Sequence, residues 1–222
     1  MLTRWCALVL LVAGCGAVPT EEQAPDFVHE IEGQQSPWTH ERFDTQPDKF
    51  TFAVVADLTG GERERVFDIA VAQLNLLRPE FILSVGDLIE GDSPDRAGHI
   101  EQWNSFDGRA AEARAPLFYA GGNHDLTNEV LGEIWDERYG RRYYHFIYRD
   151  VLFLILDTED TTPERRAEIA ELRTSAIEVY KSEGLEAFEQ TEYGTLPERT
   201  AGAVGGEQSE YFVRVLEPVS YT

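Results

Sequence analysis

Leu117-Phe118-Tyr119-Ala120-Gly121-Gly122-Asn123-His124-Asp125 is the stretch whose reading decides the fold. Four apolar residues read as a buried strand, and two glycines then let the backbone turn sharply. An amide, an imidazole and a carboxylate follow at once. The same grammar recurs twice toward the N-terminus. Phe81-Ile82-Leu83-Ser84-Val85 runs into Gly86-Asp87, and Phe52-Ala53-Val54-Val55-Ala56 runs into Asp57-Leu58-Thr59-Gly60. Unbroken apolar runs of this kind are expected of parallel strands covered on both faces. Ligands of such sheets bind at the carboxyl ends of the strands. Asp57, Asp87 and Asn123-His124 are therefore expected at one sheet edge, one set per strand. Two carboxylates in one site need a cation, or one of them takes up a proton. Oxygen and nitrogen donors suit Mn, Fe or Zn better than a thiolate-loving metal.

Helical spacing fills the gaps between these strands. Val66, Ala70, Leu74 and Leu77 recur on one face and stop before Pro79, and a second helix is expected from about 101 to 113. A short helix is expected over 128–138, with strands over 143–148 and 151–156 joined at Arg149-Asp150. Ile169, Leu172, Ala176 and Tyr180 mark a further helix on a highly charged segment, and 207–216 reads as one more. The order βαβαβαββ followed by helices implies an α/β layered domain with a largely parallel first sheet.

At 222 residues the chain is long enough for one domain with a substantial core. Nineteen basic against 41 acidic residues give a net charge of −22. Such a surface repels nucleic acid, which is not expected as a partner. The two cysteines, Cys6 and Cys15, fall in the first fifteen residues, so no Cys-based zinc site or disulfide framework is expected in the body. Arg4, the apolar run 5–12 and the small Ala13-Gly14 have the order of a secretory signal. The run is too short to span a bilayer, which takes about 20 apolar residues. Val12-Ala13-Gly14-Cys15 resembles the bacterial lipobox, with Cys15 as the lipidated residue. The expectation is a signal peptide over 1–14 and a polar tether over 15–48, punctuated by four prolines. A globular domain over 49–222 would then be exported and lipid-anchored in the cell envelope, on the periplasmic side or at the outer membrane.

Asp57-Leu58-Thr59, Val85-Gly86-Asp87 and Gly121-Gly122-Asn123-His124-Asp125 in series resemble the calcineurin-like metallophosphoesterase superfamily. That family runs D-x-H, G-D, G-N-H-[DE], then a histidine, then G-H-x-H. The resemblance covers about residues 50–160 and implies a layered sandwich of mixed sheets flanked by helices. It implies two divalent metal ions, with Asp57 on the first, Asp87 bridging both and Asn123 on the second. His124 would face the phosphate-ester substrate, and Asp125 would orient His124. The implied reaction is hydrolysis by a two-metal-activated hydroxide attacking phosphorus in line.

Two departures from the family pattern stand out. Thr59 occupies the place of the family's first histidine, and a neutral hydroxyl is a poorer ligand than imidazole. No G-H-x-H follows, and the one later histidine is His145, inside an aromatic strand. The second half of the sandwich is therefore expected to be truncated, leaving an apolar sheet edge open to self-association. The competing reading is a catalytically impaired or inactive lipoprotein that keeps the scaffold as a binding or structural module. Among the remaining residues, His29, His40 and His99 are expected in solvated loops and His145 in strand packing. Trp103 and Trp135 are expected to pack helices on the sheet, and the Glu-rich helix to be a solvated face. Arg138, Arg141 and Arg142 are read either as phosphate contacts or as ion pairs.

Overall fold

The computed structural model describes residues 27–46, 49–59, 61–91 and 95–217. In chain order the strands and helices are β1 (Phe27–His29), β2 (Phe52–Val55), α1 (Val66–Leu77), β3 (Phe81–Ser84), α2 (Arg96–Ala110), β4 (Leu117–Phe118), α3 (Asn123–Leu126) and α4 (Glu129–Arg138). They continue as β5 (Tyr144–Tyr148), β6 (Val151–Ile155), α5 (Pro163–Glu183), α6 (Leu185–Glu189), a 3-10 turn at Tyr193–Thr195, α7 (Pro197–Ala201) and α8 (Gly206–Leu216).

The three apolar runs form one parallel sheet in the order β2-β3-β4, with Phe52 opposite Phe81 and Leu83 opposite Phe118. The second sheet is antiparallel, in the order β1-β5-β6. Arg149 and Asp150 both take positive φ (47° and 65°) in the β5–β6 turn, the backbone that a tight two-residue hairpin requires. Phe81 and Phe118 from the first sheet meet Tyr144, Phe146 and Tyr148 from the second in one aromatic core. Phe118 and Phe146 stack at 4.4 Å between ring centroids. The opposite face of the parallel sheet is covered by α1, α2 and α4 through Phe67, Val71, Trp103, Phe106, Ile134 and Trp135. The architecture is mixed α/β, with sheets flanked by helices.

Local signals set most boundaries. Asp95 accepts from the Ala97 N–H and starts α2 five residues earlier than expected. Asn128 and Thr162 cap α4 and α5 by accepting from the Leu131 and Arg165 N–H groups. Caps of this kind are worth about 1 kcal/mol each. The ion pairs Arg138–Asp107 and Arg142–Asp136 account for two of the three arginines singled out from the sequence.

Two expectations fail. The tether was to run to residue 48, but residues 27–46 belong to the domain. Phe27 pairs through β1 with Tyr148, and Trp38 is only 4% exposed, bridging to Phe118. The aromatic core needs a cover on this side, and Phe27, Trp38 and Phe43 supply it. The expected signal peptide, Cys6 and the Cys15 lipidation site lie outside the described residues. The second failure is the solvated His99, which is fully buried on α2, while His29 packs against Trp38 at 4.7 Å. His145 is buried in β5, and Trp103 and Trp135 are buried beneath the helices, as expected. Among the described residues, no helix is long and apolar enough to cross a membrane.

Candidate active site

The ends of the parallel strands are tied together by backbone before any side chain acts. Beyond β2, the Asp57 N–H donates to the Gly86 carbonyl (3.2 Å) and the Leu58 N–H to the Asp87 carbonyl (2.8 Å). Beyond β3, the Ser84 hydroxyl accepts from the Ala120 N–H at 2.9 Å. Asp57 and Asp87 both sit in the left-handed region, at φ 52° and 57°. Such a backbone is uncommon for a non-glycine residue and clusters at functional sites. Glycine is required beside Asp87 for space. A Cβ on Gly122 would lie 2.6 Å from the Asp87 nitrogen, and one on Gly86 would lie 2.6 Å from the Gly122 Cα.

Asp87 is aimed by the next loop: its Oδ1 accepts from the His124 N–H at 3.0 Å. Asp125 is fully buried and works as a clamp. Its Oδ1 accepts from the Leu88 and Ile89 N–H groups, and its Oδ2 accepts from Gly122 N–H at 2.9 Å. Burial pushes the Asp125 carboxyl up to about 7, opposed by those three N–H groups and reinforced by the charge of Asp87. The His124 ring has a partner of its own. His124 Nδ1 lies 2.6 Å from the Glu90 carbonyl, which can only accept, so Nδ1 carries the proton. A neutral ring then presents Nε2 as its acceptor.

Asp57, Asp87 and Asn123 line one open cavity of about 310 Å³. His124 and Thr59 are not among its lining residues. The opposite wall comes from a part of the chain to which the sequence reading gave no role in the site: Thr158, Glu159, Glu198, Arg199 and the turn to Gly202. Glu159 is a carboxylate that the strand pattern did not single out, although it lies in the acidic run after β6. Burial, with the nearby charges of Asp157 and Asp87, pushes it up to about 7. The far segment is fastened over the β6 end: Ala203 N–H donates to the Thr158 carbonyl at 2.6 Å. Buried Gln208 donates to the Asp157 carbonyl and accepts from the Asp157 N–H.

Residues 50–175, more than half of the chain, match the calcineurin-like phosphoesterase family. The chain belongs to that family. The chain is 32% identical over 102 residues to the human serine/threonine-protein phosphatase CPPED1, a match covering 43% of this chain and 32% of the human protein. It is 31% identical over 106 residues to the mouse protein of the same name, covering 45% and 34% respectively. The chain thus spans about a third of the length of the curated relatives it matches. No solved structure matches it significantly.

Members of this family generally use divalent metals. The donors that the three strand ends bring to the cavity are two carboxylates and one amide oxygen, a hard set that suits a divalent cation, and Glu159 and Glu198 face them from the opposite wall. Among the described residues no group of three or more His, Cys, Asp or Glu side chains is placed to hold a metal. Asp57, Asp87 and Asn123 are the residues that would hold a divalent cation there.

Proposed function

We propose that the chain is a metal-dependent phosphoesterase acting on a phosphate ester. The observation that carries the reading is the convergence of Asp57, Asp87 and Asn123, from the ends of three consecutive parallel strands, on one cavity. Asp57 and Asp87 would hold the cation, and the Asn123 amide would complete its protein donors. A divalent cation there supplies Lewis acidity and neutralises negative charge on a phosphoryl group. Asp125 keeps the Asp87 and Gly122 loops in register through its three backbone partners. His124, held through Nδ1, would protonate the leaving oxygen from Nε2 once that nitrogen has taken up a proton from solvent. A second cation would need donors beyond these three. The acidic balance of the chain supports a substrate other than nucleic acid. The order of the first fifteen residues supports export and anchoring through Cys15 in the cell envelope.

The test is hydrolysis of a generic phosphomonoester and phosphodiester by the full chain with Mn. Asp87→Ala and His124→Ala should each lower kcat/KM by 100-fold or more. Activity untouched by both substitutions would sink the assignment. A second reading, a binding module on an impaired scaffold, is favoured by the sparse donor set and by Thr59. Metal content after dialysis separates the two, because a stoichiometric retained cation contradicts the impaired scaffold.

A further inference from the structure

A second cavity of about 260 Å³ opens beside the carboxylate site and shares five wall residues with it: Asn123, Thr158, Glu159, Glu198 and Arg199. Its remaining wall carries two more arginines, Arg166 and Arg173. Arg166, Ile169 and Arg173 lie at i, i+3 and i+7 on α5, so one face of that helix delivers both guanidiniums to the same space. Arg199 joins them from α7, its shape fixed by an Nη1 bond to the Gly194 carbonyl (3.1 Å) and by stacking over Phe188. Three arginines thus gather in a chain that has only 19 basic residues against 41 acidic ones. Two carboxylates face them. Glu198 is already paired with Arg165, Nε to Oε1 at 2.8 Å. Glu159 feels the positive charge of both Arg166 and Arg173. Arg166 Nε is a buried donor without a hydrogen-bond partner and so marks a missing acceptor, while Glu198 Oε2 is a buried acceptor without a donor.

We propose that this cavity binds a second anionic group of the substrate, a phosphate or carboxylate carried by the leaving portion of the ester. The inference rests on the phosphoesterase reading and narrows its substrate class. Planar guanidiniums match oxyanions in paired hydrogen bonds, and Arg166 and Arg173 supply the fork geometry. Asn123 stands on both walls, so a molecule with its ester at the carboxylates places its far end among the arginines. A space of about 260 Å³ suits a small phosphorylated acid or bisphosphate, being below the range of drug-sized pockets. Net positive charge in this one recess also gives an acidic protein a local entry point for an anion.

Binding to the full chain without metal tests the cavity separately from the chemistry. Inorganic phosphate and succinate are titrated by calorimetry, one for each oxyanion source. Saturable binding of at least one is expected, weakened at least 10-fold in Arg166→Gln/Arg173→Gln. Arg78→Gln/Arg96→Gln removes the same two charges away from the cavity, at the Asp44 and Glu133–Glu137 pairs, and should leave that affinity within twofold. Circular dichroism confirms folding of each variant, and Arg173→Lys serves as a milder second variant, expected to lose affinity partially. With Mn present, the ratio of kcat/KM for a propanediol bisphosphate over p-nitrophenyl phosphate should fall at least 10-fold in the double variant. Absence of saturable anion binding, or binding indifferent to the double substitution, overturns the proposal and leaves Glu159 and Glu198 as the arginines' own counterions. Anion binding without hydrolysis of any ester counts instead against the phosphoesterase reading.

Discussion

At the scale of single residues, the site is a problem of close approach. Gly122 is where the loops after β3 and β4 come nearest, and its missing side chain is the space that the Asp87 backbone occupies. Gly122→Ala would press a methyl group to 2.6 Å from the Asp87 nitrogen, which backbone cannot relieve by rotating a bond. Overpacking of this kind costs about 1–3 kcal/mol. We expect Gly122→Ala to lower the urea midpoint by a corresponding amount and to weaken Mn binding along with it, measured on the same preparation. Asp125 shows the same economy. One buried carboxylate satisfies three backbone donors from two loops and so sets where Asp87 and His124 sit, without lining the cavity itself.

At the scale of elements, the segment before β2 and the segment after β6 carry more of the structure than their composition suggests. Trp38 plugs the aromatic core between the sheets, in contact with Phe27, Phe118 and Tyr144. Replacing a buried tryptophan by alanine costs about 3–5 kcal/mol, and Trp38→Ala should lose that much in equilibrium unfolding. A chain cut to begin at Lys49 should fold worse still. On the other side, α8 docks on β5 through His145, whose Nδ1 is hydrogen-bonded with the Tyr211 hydroxyl at 2.6 Å. Burial, helped by Arg141 and opposed by Glu30, lowers the His145 pKa below the ordinary 6.5. The unfolded chain therefore binds this proton more readily than the folded one. The contribution of His145 to stability is complete above pH 6.5 and is lost as pH falls through 6.5 toward the folded value. Unfolding midpoints at pH 8 and pH 5 should differ more for the native chain than for His145→Phe, which removes the titrating group.

At the scale of the whole molecule, the parallel sheet ends on β2, which pairs only with β3 among the described residues. Phe52 and Val54 on that edge strand are 43% and 56% exposed. An open apolar edge is a template for strand addition, and a lysine on it is a common safeguard. We expect this chain to self-associate with rising concentration in sedimentation velocity, and Val54→Lys to shift it toward monomer. A monomer insensitive to concentration in both forms would show that the edge is covered in another way. The charge of −22 works against association at low salt, so the effect should grow as salt screens it.

The sequence by itself determined the three strand-end motifs, the parallel order of β2, β3 and β4, and the family. Those signals are local: an apolar run, a glycine that only a tight approach requires, and a polar residue directly after. It also marked α5 correctly by periodicity, yet gave it a solvated face alone. Only the tertiary structure decided that Arg166 and Arg173 of that helix share a cavity wall with Asn123, because the contact joins residues more than forty apart. The same holds for Glu159 and Arg199, whose neighbours are set by the bonds that fasten residues 202–208 over the end of β6. Trp38 and Phe27 were misjudged for a related reason. Proline-rich polar sequence specifies no period of its own, and its few aromatic side chains take their places only when two sheets leave an apolar gap for them to fill.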